Sequence, residues 1–375
     1  MATSPTAPAP LPASTTEFTS FSGNKRTLTS NVARLATASE IPTISLQAPH
    51  AEILRALRDA CTRVGFFYIS DTGVAPEVIA EAFDTARRFF AQPDDEKMRV
   101  FFKKSRILRG YEPPARVRTD ESKLPDLNEA FNWGYERGLD PLVQETDDEK
   151  AEPLWDPSNS MAGPNAWPAD AAFKATLATY YAQMITLARR LIQLFAEVLG
   201  LPATHFDTLV QTPGAMCRLI HYPPQPATQS IDGALGIGAH TDIECFTILC
   251  QDPDPRVAGL QILNAAGEWL QAPAVAGTFV VNIGDMLARW TNDVFISTVH
   301  RVLNVSGRER YSIPFFFGVD YAAEIRTLET CLLPGEKGRY EPVNAGDYVY
   351  RRLARSRLPE EEREKRGGKG VAVVG

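Results

Sequence analysis

From about residue 214 onward the chain is a succession of short β-type segments. These are MCRLIHY (216–222), CFTILCQ (245–251), GLQILN (259–264), TFVVNIG (278–284), VFISTVHRVLNV (294–305) and RYSIPFFFGV (310–319), separated by Gly, Pro, Asn and Asp. β-Branched and aromatic residues suit a pleated surface, and the intervening residues are those that turn a chain. Strands this short bury nothing alone and must close on one another. That confines the second half of the chain to a sandwich or barrel.

The first half reads differently. Residues 1–22 are rich in Ala, Pro, Ser and Thr and bury too little apolar surface to offset ordering, so residues 1–40 are expected to be a disordered leader. IPTISL (41–46) alternates like an edge strand, and FFYIS (66–70) reads as a buried one. Between them Ile53, Leu54, Leu57, Cys61 and Val64 recur at helical spacing, with Gly65 as the stop. A second helix is expected over 76–93, with Pro76 at its start. Residues 94–168 carry eight prolines and read as long functional loops closing an N-terminal region, 41–168. A long helix with a wide apolar stripe follows within 169–212 and braces a core over 213–335. The remainder, 336–375, reads as a helix and a solvated charged tail. The fold class is therefore mixed α and β, mainly β in its core.

Composition excludes several functions. The 375 residues carry a net charge of −7, so no basic face is advertised for nucleic acid. No apolar run approaches the roughly 18 residues a membrane span requires. The first residues lack the basic and apolar regions of a secretory signal, and the first arginine is Arg26. The five cysteines form no CxxC and read as buried thiols of a reducing compartment, which makes the cytoplasm the default location.

Five histidines are present: His50, His205, His221, His240 and His300. His240 and Asp242, one residue apart, would share a face on a strand, and 57 residues separate Asp242 from His300 on another. Two imidazoles and one carboxylate make the facial triad of non-haem Fe(II) oxygenases, which leaves positions open for a chelating cosubstrate and O₂. The bland alternative is a surface turn and a core histidine. Arg310 and Ser312 also share a strand face, and a guanidinium with a hydroxyl is a receptor for a carboxylate. Tyr222, ending its strand before Pro223 and Pro224, can aim its hydroxyl into the same cavity. His221 alternates to the opposite face, and His50 and His205 read as surface residues.

HTD (240–242), HRV (300–302), RYS (310–312) and HYPP (221–224) together resemble the isopenicillin N synthase-like family of Fe(II)/2-oxoglutarate-dependent dioxygenases. VGFFYISDTGV (64–74), RGYEPP (109–114), LNEAFNWGYE (127–136) and GPNAWP (163–168) extend the likeness over roughly 41–335. The resemblance implies a double-stranded β-helix (jelly-roll) core and an oxidoreductase acting on a small molecule, with secondary metabolism as its setting. It implies His240, Asp242 and His300 as catalytic metal ligands, and Arg310, Ser312 and Tyr222 as the grip on the far carboxylate of 2-oxoglutarate. Phe316 matches a position that often lines the substrate pocket. Phe131 and Arg116, in the loop-rich stretch, are further substrate-contact candidates; a structural strand and a solvated loop are their bland readings. Ile220 departs from the family, where many plant members have Asn, and the retained Asp242 argues against halogenation. The implied reaction is hydroxylation of a C–H bond with O₂. Desaturation, epoxidation, rearrangement, and a 2-oxoglutarate-independent oxidase or cyclase on the same fold are the alternatives.

Overall fold

In the computed structural model the residues described are 16–19, 25–120, 124–143, 161–225, 235–359 and 361–362. The end of the charged tail lies outside them. Two strands open the described chain, β1 (Thr16–Thr19) and β2 (Lys25–Leu28), and they pair antiparallel. β3 (Arg34–Leu35) follows, then β4 (Thr43–Ser45) and β5 (Phe66–Ser70), with α1 (His50–Arg63) between them. α2 (Pro76–Phe90) and α3 (Asp94–Met98) precede β6 (Gly110–Glu112) and β7 (Glu129–Gly134). The long helix is α4 (Ala171–Val198), whose N-cap Asp170 accepts from the backbone N–H of Ala172.

The β-rich half supplies β8 (Met216–Tyr222), β9 (Ile237–His240), β10 (Phe246–Gln251), β11 (Leu260–Leu263), β12 (Trp269–Gln271) and β13 (Thr278–Ile283). After α5 (Asp285–Trp290) come β14 (His300–Val302), β15 (Arg310–Phe317), β16 (Glu324–Ile325) and β17 (Val343–Asn344). The last helix is α6 (Ala345–Arg357).

Two sheets form the core. One has the order β4-β5-β13-β10-β15-β8-β7-β6 and the other β3-β12-β11-β14-β9. They meet face to face where Phe66, Tyr68 and Val280 pack on Leu260 and Ile262. The other face of the large sheet carries Ile248, Phe315, Phe317, Phe131 and Trp133, and these pack with α1, α2 and α4 into one apolar core. Alternation along β15 decides what faces where. Arg310, Ser312, Pro314 and Phe316 point between the sheets, while Ile313, Phe315 and Phe317 point to the helices.

Three features differ from the sequence reading. Residues 27–40 are not a free leader: Thr29 N–H donates to Gly267 O, and β3 pairs with β12. Arg34 also bridges Glu40 and Glu268. Gly267, β12 and Glu268 stand far down the chain, which local composition cannot register. The stretch 94–168, read as loops, contains β6 and β7, so four strands of the large sheet come from residues 43–134. Ser356 and Arg357, assigned to a solvated tail, lie on α6 and line the cavity between the sheets.

Candidate metal centre

His240 ends β9 and His300 begins β14, and the two stand opposite each other in the antiparallel register. Asp242 is not on the strand; it lies in the irregular link between β9 and β10. That link brings Asp242 Oδ1 to 3.5 Å from His240 Nε2 and 3.7 Å from His300 Nε2. Among the described residues this is the one cluster of three metal-ligating side chains. With ligand bonds of about 2.1 Å, one face of an octahedron has edges of about 3 Å, so the triad needs only a small contraction to close on one ion.

The surroundings orient each ligand. His240 Nδ1 faces Gly238 O at 2.8 Å and His300 Nδ1 faces Thr298 O at 3.2 Å. A carbonyl only accepts, so each Nδ1 carries the proton and each Nε2 keeps its lone pair. Asp242 Oδ2 accepts from Thr247 Oγ1 and, at 2.7 Å, from Asn282 Nδ2, which leaves Oδ1 for the ion. Burial opposes ionisation of Asp242, but His300, His240 and the Asn282 bond outweigh it and hold the carboxyl well below its ordinary range. Burial, then the neighbouring His240, pushes His300 down to about 4. Thr247 and Asn282 were not found by sequence reading, because their role exists only through the β10–β13 register that sets them side by side.

The carboxylate receptor lies along β15 and β8. Arg310 is 1% exposed, and its Nη1 and Nη2 have no hydrogen-bond partner among the described residues. Its guanidinium sits over the Tyr222 ring at 4.6 Å, and Tyr222 is its cross-strand neighbour. Tyr222 Oη and Ser312 Oγ are 3.3 Å apart. Buried guanidinium donors without acceptors fit an incoming carboxylate. The donor set therefore suits Fe(II) with 2-oxoglutarate: two imidazoles and a carboxylate for the ion, and a fork with two hydroxyls for the acid.

The other expectations divide. Phe316 lines the cavity. Phe131 does not; it is fully buried on the helix side of β7 against Phe89, Trp133 and Phe173. The alternation of β7 sets Ala130 and Asn132, not Phe131, on the inner face. Arg116 is exposed and outside the cavity wall, in keeping with a solvated loop. His221 is held by Glu129 at 2.8 Å on the outer face. His50 and His205 are exposed.

The cavity, about 1090 Å³ with its mouth, is walled on one side by Val349, Arg352 and Leu353 of α6 as well as Ser356 and Arg357. Two ion pairs hold that helix down. Arg352 donates to Asp285 at 2.8 Å, and Arg357 donates to buried Glu112, which also accepts from Arg218 at 2.7 Å. Burial opposes ionisation of Glu112, and Arg357 and Arg218 outweigh it, holding its carboxyl below the usual range.

The N-terminal family described as "non-haem dioxygenase in morphine synthesis N-terminal" matches residues 41–170, and the "2OG-Fe(II) oxygenase superfamily" matches 213–319. A "2-oxoglutarate-Fe(II) type oxidoreductase ppzC" of Metarhizium rileyi is 36% identical, over 90% of this chain and 94% of that protein. The chain belongs to the 2OG-Fe(II) oxygenase superfamily. A second relative of this oxygenase, the "2-oxoglutarate-Fe(II) type oxidoreductase hxnY" of Emericella nidulans, is 37% identical over 80% of the chain and 84% of its own length. Among solved structures, a full-length Neurospora crassa protein in complex with alpha-KG and thymine superposes with a TM-score of 0.71 at 28% identity, over 84% of this chain and 96% of that one. The oxygenase is thus an Fe(II)- and 2-oxoglutarate-dependent oxidoreductase with a jelly-roll core. No helix among the described residues is long and apolar enough to cross a membrane.

Proposed function

We propose that this oxygenase hydroxylates a C–H bond of a small, largely apolar natural product, with His240, Asp242 and His300 as its iron ligands. Fungal relatives include the 2-oxoglutarate-dependent dioxygenase citB of Monascus ruber, 34% identical, which supports a place in specialised metabolism. Bound Fe(II) supplies an oxidation in which O₂ and 2-oxoglutarate are consumed and succinate and CO₂ leave. The chain's own residues do the rest. Arg310 neutralises the far carboxylate of the cosubstrate, Ser312 and Tyr222 donate to it, and the Tyr222 ring keeps the guanidinium from swinging away. Thr247 and Asn282 hold Asp242 so that one oxygen is committed to the ion. Phe316, Val349 and Leu353 offer an apolar surface to the substrate and exclude water from the reacting carbon.

The observation that carries this reading is Arg310: a buried guanidinium whose terminal nitrogens meet no carboxylate among the described residues. The test is succinate formation from 2-oxoglutarate by the Fe(II)-loaded chain, alone and with candidate metabolites. Succinate matched by a hydroxylated product is expected. Product without any requirement for 2-oxoglutarate would instead make the chain an oxidase, in which Arg310 and Ser312 bind the substrate's own carboxylate.

A further inference from the structure

Three parts of the fold meet on one side chain that the reaction above does not use. Asp285 begins α5 and is 3% exposed. Its Oδ2 accepts from Thr241 Oγ1 at 2.9 Å and from Arg352 Nη1 at 2.8 Å, and its Oδ1 accepts from Ser297 Oγ at 2.6 Å. Thr241 stands between the ligands His240 and Asp242, Ser297 comes three residues before the ligand His300, and Arg352 lies on α6. One carboxylate thus touches both ligand-bearing segments and the helix that walls the cavity.

The backbone beside it grips the same link. Asp285 N–H donates to Asp242 O at 2.8 Å, Met286 N–H to Ile243 O at 3.2 Å and Gly284 N–H to Cys245 O at 2.9 Å. The approach is so close that a Cβ on Gly284 would stand 2.1 Å from Glu244 O. Residues 241–244 belong to no strand, so no ladder fixes them and their posture rests on bonds of this kind.

Arg352 decides whether Asp285 can hold that posture. The side chains of Arg352 and Asp285 are 10% and 2% exposed, and Arg352 Nη2 also lies 3.5 Å from Thr241 O. If α6 lifts, Asp285 becomes a buried carboxylate facing hydroxyls alone. That is strongly unfavourable, and it relaxes by moving the carboxylate toward water or another donor, away from Thr241 or Ser297. Val349 and Leu353, close to Arg352 on α6, line the cavity, so whatever fills the cavity also bears on this helix. We infer that Asp285 is a positioning residue for the iron triad, holding both ligand-bearing segments through Thr241 and Ser297, and that Arg352 makes its hold depend on the docking of α6. Affinity for the metal and docking of α6 are then linked, and each must strengthen the other by the same factor. The inference rests on the reading of His240, Asp242 and His300 as the iron ligands, and adds how a wall of the cavity reaches them.

The test measures both sides of that link on the full chain, with Mn(II) alone as the probe. Metal affinity is read by titration, and docking of α6 by hydrogen exchange over 345–357 with and without Mn(II). In the unaltered chain Mn(II) should slow exchange over 345–357. Arg352→Met should bind Mn(II) about tenfold more weakly, within the range of about 5–150-fold usual for coupled sites. In that variant Mn(II) should no longer slow exchange over 345–357, although it still does so over α4 (171–198). Arg352→Lys, which keeps a cation for Asp285, should recover part of the affinity. A merely structural ion pair would lower the unfolding midpoint of Arg352→Met and leave its Mn(II) affinity unchanged, which would overturn the inference. Exchange over 345–357 that ignores Mn(II) in the unaltered chain would overturn it as well, and that measurement needs no variant to fold. His240→Ala separates the two readings. Mn(II) binding that survives it removes the triad, whereas binding that requires His240 and ignores Arg352 removes only the role given to Asp285.

Discussion

Replacing Arg310 separates its charge from its shape. In Arg310→Met the stem stays in the cavity and the guanidinium goes; in Arg310→Lys a charge stays but the planar fork goes. The group is 1% exposed, so its bond to a carboxylate is shielded from water. Losing one partner of a buried, hydrogen-bonded charge pair costs about 2–5 kcal/mol. That is a loss of roughly 30-fold to several thousandfold in affinity for 2-oxoglutarate. Lysine should fall between the two, because it also forfeits the stacking on Tyr222 seen at 4.6 Å. The assay is thermal unfolding of the Mn(II)-loaded chain at increasing 2-oxoglutarate. At a ligand concentration about 100 times its dissociation constant, binding stabilises the native chain by about 2.7 kcal/mol. The unaltered chain should show the corresponding rise in midpoint. At the same concentration the Met variant should keep at most about a third of it, about 0.9 kcal/mol for a 30-fold loss and almost nothing for a thousandfold one, and the Lys variant should lie between the Met variant and the unaltered chain. A Met variant with the full rise would refute the reasoning, for it would mean that the carboxylate is held elsewhere.

Two further perturbations address the supports of the site. Thr247→Val and Asn282→Leu each remove a donor to Asp242 Oδ2 and should weaken metal binding by about 10–100-fold while leaving all three ligands in place, as read by metal titration; unchanged affinity would show that Asp242 needs no such orientation. Glu112→Gln leaves Arg218 and Arg357 without their counter-ion, should cost about 3–5 kcal/mol near neutral pH and should release α6, as read by hydrogen exchange over 345–357. Because the folded Glu112 carboxyl is held below its unfolded value, its contribution is present above about pH 4.3 and is lost as pH falls through the folded value. The Gln variant should therefore lack that part of the acid transition, and a variant with the native midpoint would count against the latch.

What the sequence made legible follows its periodicities. The α1 and α4 stripes and the alternation of β8, β10, β13 and β15 are local, and each was readable from spacing alone. So were Arg310 and Ser312, two residues apart on one strand. The triad was readable for a different reason, since its residue types are few and its spacing distinctive, although the sharing of a strand face by His240 and Asp242 was the wrong geometry. Phe131 was misread because an all-buried strand shows no polar face, so nothing in EAFNWG says which side meets the cavity. β3, Thr247, Asn282 and the Glu112 latch were invisible because each depends on a register or crossing between distant segments.

The claim beneath all of this is that one ferrous ion sits on His240, Asp242 and His300. Anomalous diffraction at the iron edge, from crystals grown anaerobically with Fe(II) and 2-oxoglutarate, measures it directly. The account predicts one iron peak about 2.0–2.2 Å from Nε2 of both histidines and Oδ1 of Asp242. Iron bound elsewhere, or held with Asp242 Oδ1 turned away from it, would contradict the account.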